Sequence, residues 1–263
     1  MTLDMSAPTA GSHAFGHVST PPASDVSLAV SIVVPARNEE GNIPLLLDEI
    51  LAVMRPLGRA WEILFVDDGS TDTTLDVLRG LAGRHPEMHY LSFEENRGQS
   101  AAFAAGFQFA RGEVVVTMDA DLQNDPADIP AMLATMDQGF DMVIGWRATR
   151  KDTWSKRMAS RFANAVRNRL SNENVRDTGC SLKVMRADMA RRIPMFTGMH
   201  RFLPTLMKLE GASVAEVKVN HRPRRHGASK YGVLDRALTT WYDLLAVRWM
   251  QRRHISFRVR EQR

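Results

Sequence analysis

Over the first 150 positions, apolar residues come in short runs separated by acidic or glycine-containing turns. "VSIVVPA" at 30–36 is short, apolar and β-branched, the mark of a buried strand. "RNEEGNIPLLLDEI" then predicts a helix, with Asn42 at its N-cap and Leu45, Leu46 and Ile50 turned inward. "WEILFVDDGSTDTTLDVLRGLA" repeats the plan with a strand over 61–66, an acidic turn, and a helix from about Thr73. A third strand and helix follow in "MHYLSFEENRGQSAAFAAGFQFARG", a fourth strand in "EVVVTMDADLQ", and a fifth in "DMVIGWR" at 141–147. Strands alternating with helices predict an α/β domain with a mainly parallel central sheet covered on both faces.

The second half carries a different pattern. Trp154, Met158, Phe162, Val166 and Leu170 recur every four residues, with Lys156, Arg157, Arg161, Arg167 and Arg169 around them. This predicts a basic amphipathic helix, which suits a protein surface or a membrane interface. Near the end, Leu234, Leu238, Trp241, Leu245 and Trp249 line one side of a helix that runs into Arg252, Arg253 and His254. Tryptophan and arginine beside an apolar face belong to the lipid headgroup zone.

Charge sharpens this division. The net charge is only +4, yet residues 1–146 hold 7 Lys/Arg against 21 Asp/Glu, and residues 147–263 hold 27 against 9. The halves therefore carry −14 and +18, an asymmetry that fits one ligand environment for cations and another for anions. The single cysteine, Cys180, excludes an internal disulfide and any CxxC metal pattern, in keeping with a reducing, cytosolic address. Residues 1–27 are rich in Ser, Thr, Ala and Pro and read as a disordered tail rather than a signal peptide. No apolar run approaches the roughly 20 residues that span a bilayer.

Ligands of such sheets bind outside the carboxyl ends of the strands, and the distinctive residues all fall there. Arg37, Asn38 and Glu39 follow the first strand, Asp67-Asp68-Gly69-Ser70 the second, Asn96-Arg97-Gly98 the third, and Asp119-Ala120-Asp121 the fourth. One acidic turn is commonly a helix cap, but four such loops at one sheet edge point to a site. Asp119, Asp121 and the nearby Asp125 repel one another unless a cation compensates. If the strand stays extended, Asp119 and Asp121 point to the same side and converge on one divalent ion, with Gln123 adding a neutral oxygen. Hard oxygen ligands suit Mg²⁺ or Mn²⁺. No GxGxxG follows the first strand, which argues against a nicotinamide dinucleotide.

"SIVVPARNEEGNI", "EILFVDDGSTDTT", "ENRGQSAAFAAGF" and "VVVTMDADLQNDP" together resemble, in order, spacing and loop context, the family-2 glycosyltransferases. The likeness spans roughly residues 29–235 and is greatest to the polyprenyl-phosphate sugar synthases, of the dolichyl-phosphate mannose synthase type. It implies a single Rossmann-like, GT-A type domain over 28–232, with 233–263 as a membrane-surface helix and tail. It implies that Pro35, Arg37 and Glu39 border the nucleotide, that Asp67 or Asp68 contacts the base, and that Asp119 meets the ribose or the metal-bound diphosphate. Asp121 and Gln123 would hold the metal with Asp119. Asp177, in "RDTGCSLKVMRADM", would touch the sugar or orient the acceptor. Arg224, Ser229 and Lys230, in "NHRPRRHGASKYG", match a loop that closes over the donor diphosphate and acceptor phosphate.

The reaction so implied is an inverting transfer from a UDP- or GDP-sugar to polyprenyl phosphate. An ionised phosphate oxygen needs no general base, so the site must instead overcome repulsion between two anions. Arg147, Arg157 and the 224–230 loop are the candidates, with Ser160 as a helper to the acceptor phosphate. Two other readings stand beside this one. A hydroxyl acceptor would need a deprotonating carboxylate, for which Asp177 is the candidate. A non-catalytic basic module would bind membrane or nucleic acid, although the acidic loops disfavour a polyanion, and no nucleic-acid partner is expected. Many relatives continue into transmembrane helices where this chain ends in a basic tail. The expectation is therefore a peripheral protein on the cytoplasmic membrane face, with the terminal helix open to a homodimer or a membrane-protein partner. His85, His89 and His200 receive no role.

Overall fold

The computed structural model describes residues 28–147, 175–223 and 233–255, with 233–240 as helical backbone. The predicted helix at 154–170 and the tail at 1–27 lie outside the described residues.

Seven strands form one sheet in the order β3-β2-β1-β4-β6-β5-β7. The strands are β1 (Val30–Ala36), β2 (Trp61–Asp67), β3 (Met88–Ser92), β4 (Val114–Thr117), β5 (Met142–Trp146), β6 (Lys183–Arg186) and β7 (Val214–Lys218). All pairings are parallel except those of β6, which runs antiparallel to both β4 and β5. The first five strands lie where the apolar runs predict them. β6 and β7 have no counterpart in that prediction, because "KVMR" and "VAEVK" interleave charge with apolar residues and lack a clean run.

Alternation along the strands divides the core. Ile32, Val34, Ile63, Phe65 and Val116 face helices α1 (Ile43–Met54), α2 (Thr74–Ala82) and α4 (Ile129–Met136). Val33, Leu64, Val66 and Val115 face α3 (Gln99–Phe109), α5 (Ala187–Arg192), α6 (Leu203–Leu209) and α7 (Val233–Arg253). Both faces are covered, as parallel strands require. Within α1, Leu46 and Ile50 are buried as predicted, while Leu45 is 40% exposed and Ile43 and Leu47 take the inward positions. Asn42 stands at the N-cap position but makes no capping bond; its amide donates to Glu39 Oε2 at 2.6 Å instead.

Register places the site. Ala36, Asp67 and Ser92 pair in one row across β1, β2 and β3, so the loops that leave them share an edge. Because β6 is reversed, it begins at that same edge, with Lys183 beside Thr117. Leu244 and Val247 of α7 are buried, while Trp241, Tyr242, Leu245 and Trp249 are between 47% and 72% exposed. No described helix is long and apolar enough to cross a membrane.

Candidate active site

The loops after β1, β2 and β3 are stitched into one wall. Asn38, at φ +55°, donates its backbone N–H to Ser70 Oγ at 2.9 Å and accepts from Thr71 N at 2.8 Å. Thr74 Oγ1 accepts from Glu39 N at 2.9 Å. Asp67 accepts from Ser70 N at 3.1 Å and from Ser92 Oγ at 2.8 Å, and Asp68 accepts from the amides of Arg97 and Gly98 at 2.6 and 2.9 Å. Both carboxylates are buried, so in this state they order the loops. Gly69, at φ +60°, lets the third loop approach: a Cβ there would stand 2.5 Å from the carbonyl carbon of Glu95. Pro35 sits half-buried near the end of β1, and Arg37 and Glu39, in the loop that follows, are half-buried too.

The DxD segment differs from its prediction. β4 ends at Thr117, so Asp119, Ala120 and Asp121 lie in a turn, and the same-side argument for an extended strand does not apply. The turn is closed by Leu122 in the left-handed region at φ +61°, a conformation that a non-glycine residue holds only where its surroundings impose it. The two carboxylates still lie close enough for the charge of one to act on the other. Burial raises the Asp119 carboxyl above its ordinary range, and the charge of Asp121 raises it further. Gln99 Nε2 donates to Asp119 Oδ1 at 2.8 Å, and Gln123 N to Asp121 Oδ1 at 3.2 Å. The charges of Lys183 and Arg147 offset part of this cost at Asp119, and Asp119, Asp121 and Gln123 are oxygen donors of the kind that Mg²⁺ or Mn²⁺ prefers.

The segment after β7 is fastened to this turn. Arg222 N donates to Gln123 O at 2.9 Å, and its guanidinium forks to Glu49 and Asp125 at 2.6 Å each. Arg222 is thus committed to carboxylates, which separates it from the other cations of its cluster. Arg224, Ser229 and Lys230 lie outside the described residues, as do Arg157 and Ser160.

Arg147, directly after β5, meets Asp177 in a two-pronged ion pair at 2.7 and 2.9 Å, both side chains being about one-tenth exposed. The sequence brings neither residue to the other; the reversed strand β6 does. Burial lowers the Arg147 pKa, but the bonds from Asp177 outweigh it and leave the guanidinium firmly charged.

Between Asp119, α3 and the start of β6 lies a cavity of about 330 Å³, lined by Gln99, Thr178, Lys183, His200 and Arg201 among others. Sequence reasoning assigned none of these a role. Lys183 is buried, its ammonium donating to Cys180 O, and burial pulls its pKa down. His200 Nδ1 is 2.8 Å from Ser100 Oγ, and burial lowers its pKa to about 3, so the imidazole is neutral. Thr178 Oγ1 is buried at the cavity and finds no partner among the described residues. A signal for Lys183 existed in hindsight: a lone lysine opening an apolar "KVM" run faces burial cost unless acids stand nearby.

Comparison with known proteins agrees with this geometry. The family model described as Glycosyl transferase family 2 matches residues 31–193. This chain belongs to glycosyl transferase family 2. The family-2 chain is 38% identical over 231 residues to a dodecaprenyl-phosphate galacturonate synthase of Rhizobium johnstonii, covering 86% of this chain and 68% of that one. It is 38% identical over 218 residues to an undecaprenyl-phosphate 4-deoxy-4-formamido-L-arabinose transferase of Pectobacterium atrosepticum, covering 82% and 66%. It thus spans about two thirds of the length of these polyprenyl-phosphate sugar transferases. Among solved structures it resembles glucosyl-3-phosphoglycerate synthase of Mycobacterium tuberculosis, in complex with Mn²⁺, UDP and phosphoglyceric acid, at TM-score 0.64. That match has 21% identity and covers 88% of this chain and 80% of the other. Mannosyl-3-phosphoglycerate synthase of Rubrobacter xylanophilus matches at TM-score 0.63 with 20% identity, covering 89% and 78%. These structures establish the GT-A type α/β fold of the family-2 glycosyltransferase.

Proposed function

We propose that this family-2 glycosyltransferase moves a sugar from a nucleoside-diphosphate donor to polyprenyl phosphate with inversion at the sugar carbon. The observation that carries the reading is the cavity beside Asp119, where Lys183 and Arg201 are the lining groups able to carry positive charge, His200 being neutral. Asp177, the one candidate for a base, is held in both directions by Arg147. A hydroxyl acceptor would want a carboxylate able to take its proton, whereas a phosphate oxygen is already ionised and wants positive charge around it. The names of the sequence relatives support the same acceptor.

In this account the wall formed by the loops after β1, β2 and β3 binds the nucleotide, with Pro35, Arg37, Glu39, Asp67 and Asp68 bordering it. Asp119, Asp121 and Gln123 would hold Mg²⁺ or Mn²⁺, which supplies positive charge beside the departing diphosphate; the solved neighbours carrying Mn²⁺ and UDP support that choice. One acceptor phosphate oxygen forms the new bond to the sugar carbon as the bond to the donor diphosphate breaks, and no proton moves. Arg147 places a guanidinium at the same edge, oriented by Asp177. Arg157, Ser160, Arg224, Ser229 and Lys230 are proposed to complete the acceptor-phosphate site.

The exposed face of α7 is proposed to rest on the membrane surface where such an acceptor resides. Trp241, Tyr242, Leu245 and Trp249 offer apolar area, and Arg248, Arg252 and Arg253 accompany them on the same helix.

The test is nucleotide release from a panel of UDP- and GDP-sugars with Mn²⁺, with and without a short polyprenyl phosphate. Release that requires the lipid, and is lost in Asp121→Ala, supports the reading. Release indifferent to the lipid leaves a nucleotide-sugar site and refutes the acceptor.

A further inference from the structure

The turn Gly198–Phe202 is held from two sides. On one, His200 contacts Ser100 of α3, with Nδ1 2.8 Å from Ser100 Oγ. On the other, Gly198 approaches α7: a Cβ there would sit 2.2 Å from Asp243 Oδ2, and its φ of +86° favours glycine. Held this way, the turn presents His200 and Arg201 to the cavity that also receives Asp119.

The basic side chains of this cavity are not equivalent. His200 is neutral, and Lys183 is buried with its ammonium turned to the Cys180 carbonyl. The Arg201 side chain is 38% exposed, and its guanidinium forms a long ion pair with Asp243 at 4.0 Å. A phosphate oxygen would offer a contact of about 2.7–2.9 Å, short and charge-assisted. The neighbouring hydroxyl of Thr178, buried and without a partner among the described residues, supplies a donor at the same cavity.

Resting on the acceptor reading above, we infer that Arg201 is a ligand of the acceptor's phosphate monoester, and that Asp243 of the terminal helix competes with the phosphate for that guanidinium. Arg201 reaches the cavity from the turn before α6, which lies against Asp243 of α7. A lipid phosphate arriving along that face would meet Arg201 while its chain remains outside.

The experiment is calorimetric titration of citronellyl phosphate, a ten-carbon isoprenoid monophosphate, into the full chain with Mn²⁺ and UDP. Inorganic phosphate and UDP alone are titrated in parallel. Arg201→Ala is expected to weaken citronellyl phosphate binding about 10- to 100-fold, the loss of one hydrogen bond to a charged group, and to leave UDP affinity unchanged. Arg201→Lys should recover part of the loss. Asp243→Asn removes the competing carboxylate and should tighten the same binding about two- to fivefold, the opposite sign; a merely structural role would weaken it. Inorganic phosphate following the same order at lower affinity supports recognition of the phosphate itself. Weakened UDP binding with citronellyl phosphate unaffected would overturn the inference, assigning Arg201 to the donor, and equal affinities in all variants would overturn it outright. Absence of citronellyl phosphate binding in the unaltered protein would overturn the acceptor reading and this inference together, whereas wild-type binding with an inert Arg201 would sink the inference alone.

Discussion

The two ends of this sheet build their halves of the site by different means. From β3 to β4 every strand is parallel, and the loop after β2 spends its acids on backbone amides: Asp67 on Ser70, Asp68 on Arg97 and Gly98. From β6 to β7 the site is made by side-chain pairs that cross long stretches of chain, such as Arg147 with Asp177 and His200 with Ser100. The acidic side is a preformed wall beside the Asp119–Asp121 turn, where a cation is proposed to sit. The basic side is an assembly of basic side chains held by partners: Arg147 by Asp177, Lys183 by the Cys180 carbonyl and the neutral His200 by Ser100. On the proposed reading, one domain separates the requirements of leaving group and attacking group, and the −14 and +18 halves of the sequence fit that separation.

The largest effect that would break this comparison lies on the acidic side. Asp121→Ala should lower transfer on the order of 10²–10³-fold, the scale of losing one preorganised electrostatic contributor, while the melting temperature changes little because Asp121 is partly exposed in a turn. A wild-type rate in this variant would show that the DxD turn is structural only.

Next comes the ion pair on the basic side. Asp177→Asn would leave the buried Arg147 guanidinium without its counter-charge, a cost of roughly 3–5 kcal/mol in stability. Denaturant unfolding checks it: a fall of that size with activity reduced in parallel fits an orienting role. Unchanged stability with transfer abolished would instead favour Asp177 as a base and a hydroxyl acceptor.

A smaller effect belongs to α7. Trp241→Glu with Trp249→Glu, both at exposed positions, should cut binding to phosphatidylglycerol vesicles about tenfold or more and leave UDP binding in solution intact. Equal vesicle binding would remove the helix from the membrane account.

The smallest concerns His200. Its folded pKa, near 3, lies below the unfolded value of about 6.5, so the unfolded chain binds the proton more readily. Stability from this group is therefore complete above pH 6.5 and is lost as pH falls towards 3. His200→Gln, which can keep a bond to Ser100, should flatten the decline in unfolding free energy between pH 6.5 and 4. An identical decline in both proteins would mean that other groups govern it.

The same comparison explains what could be read in advance. β1 to β5 and their loops were legible because a βα unit places consecutive residues at the site, so "VDDGS" and "MDADLQ" display their chemistry in order. The DxD turn was legible in composition but not in geometry, since Leu122 at positive φ is invisible to a rule of alternation. The basic side was largely hidden. Lys183 reaches the edge only because β6 runs backwards, and His200 only because a short 3₁₀ turn packs between α3 and α7. Neither follows from periodicity, and nothing in "GMHRF" as a string marks an active-site turn. The exposed stripe of α7 was readable as a face, since Trp241, Leu245 and Trp249 keep the period, though its neighbours Leu244 and Val247 decide which side is buried.

The central claim, a phosphate rather than a hydroxyl acceptor, is tested most directly by offering the protein one isoprenoid chain in two forms. Radiolabelled sugar would be followed from the preferred donor, with Mn²⁺, to polyprenyl phosphate and to the polyprenol of equal length. The account predicts product with the phosphate alone, at a rate flat between about pH 7 and 9 because no base must lose a proton. Comparable product with the polyprenol, rising with pH, would contradict it.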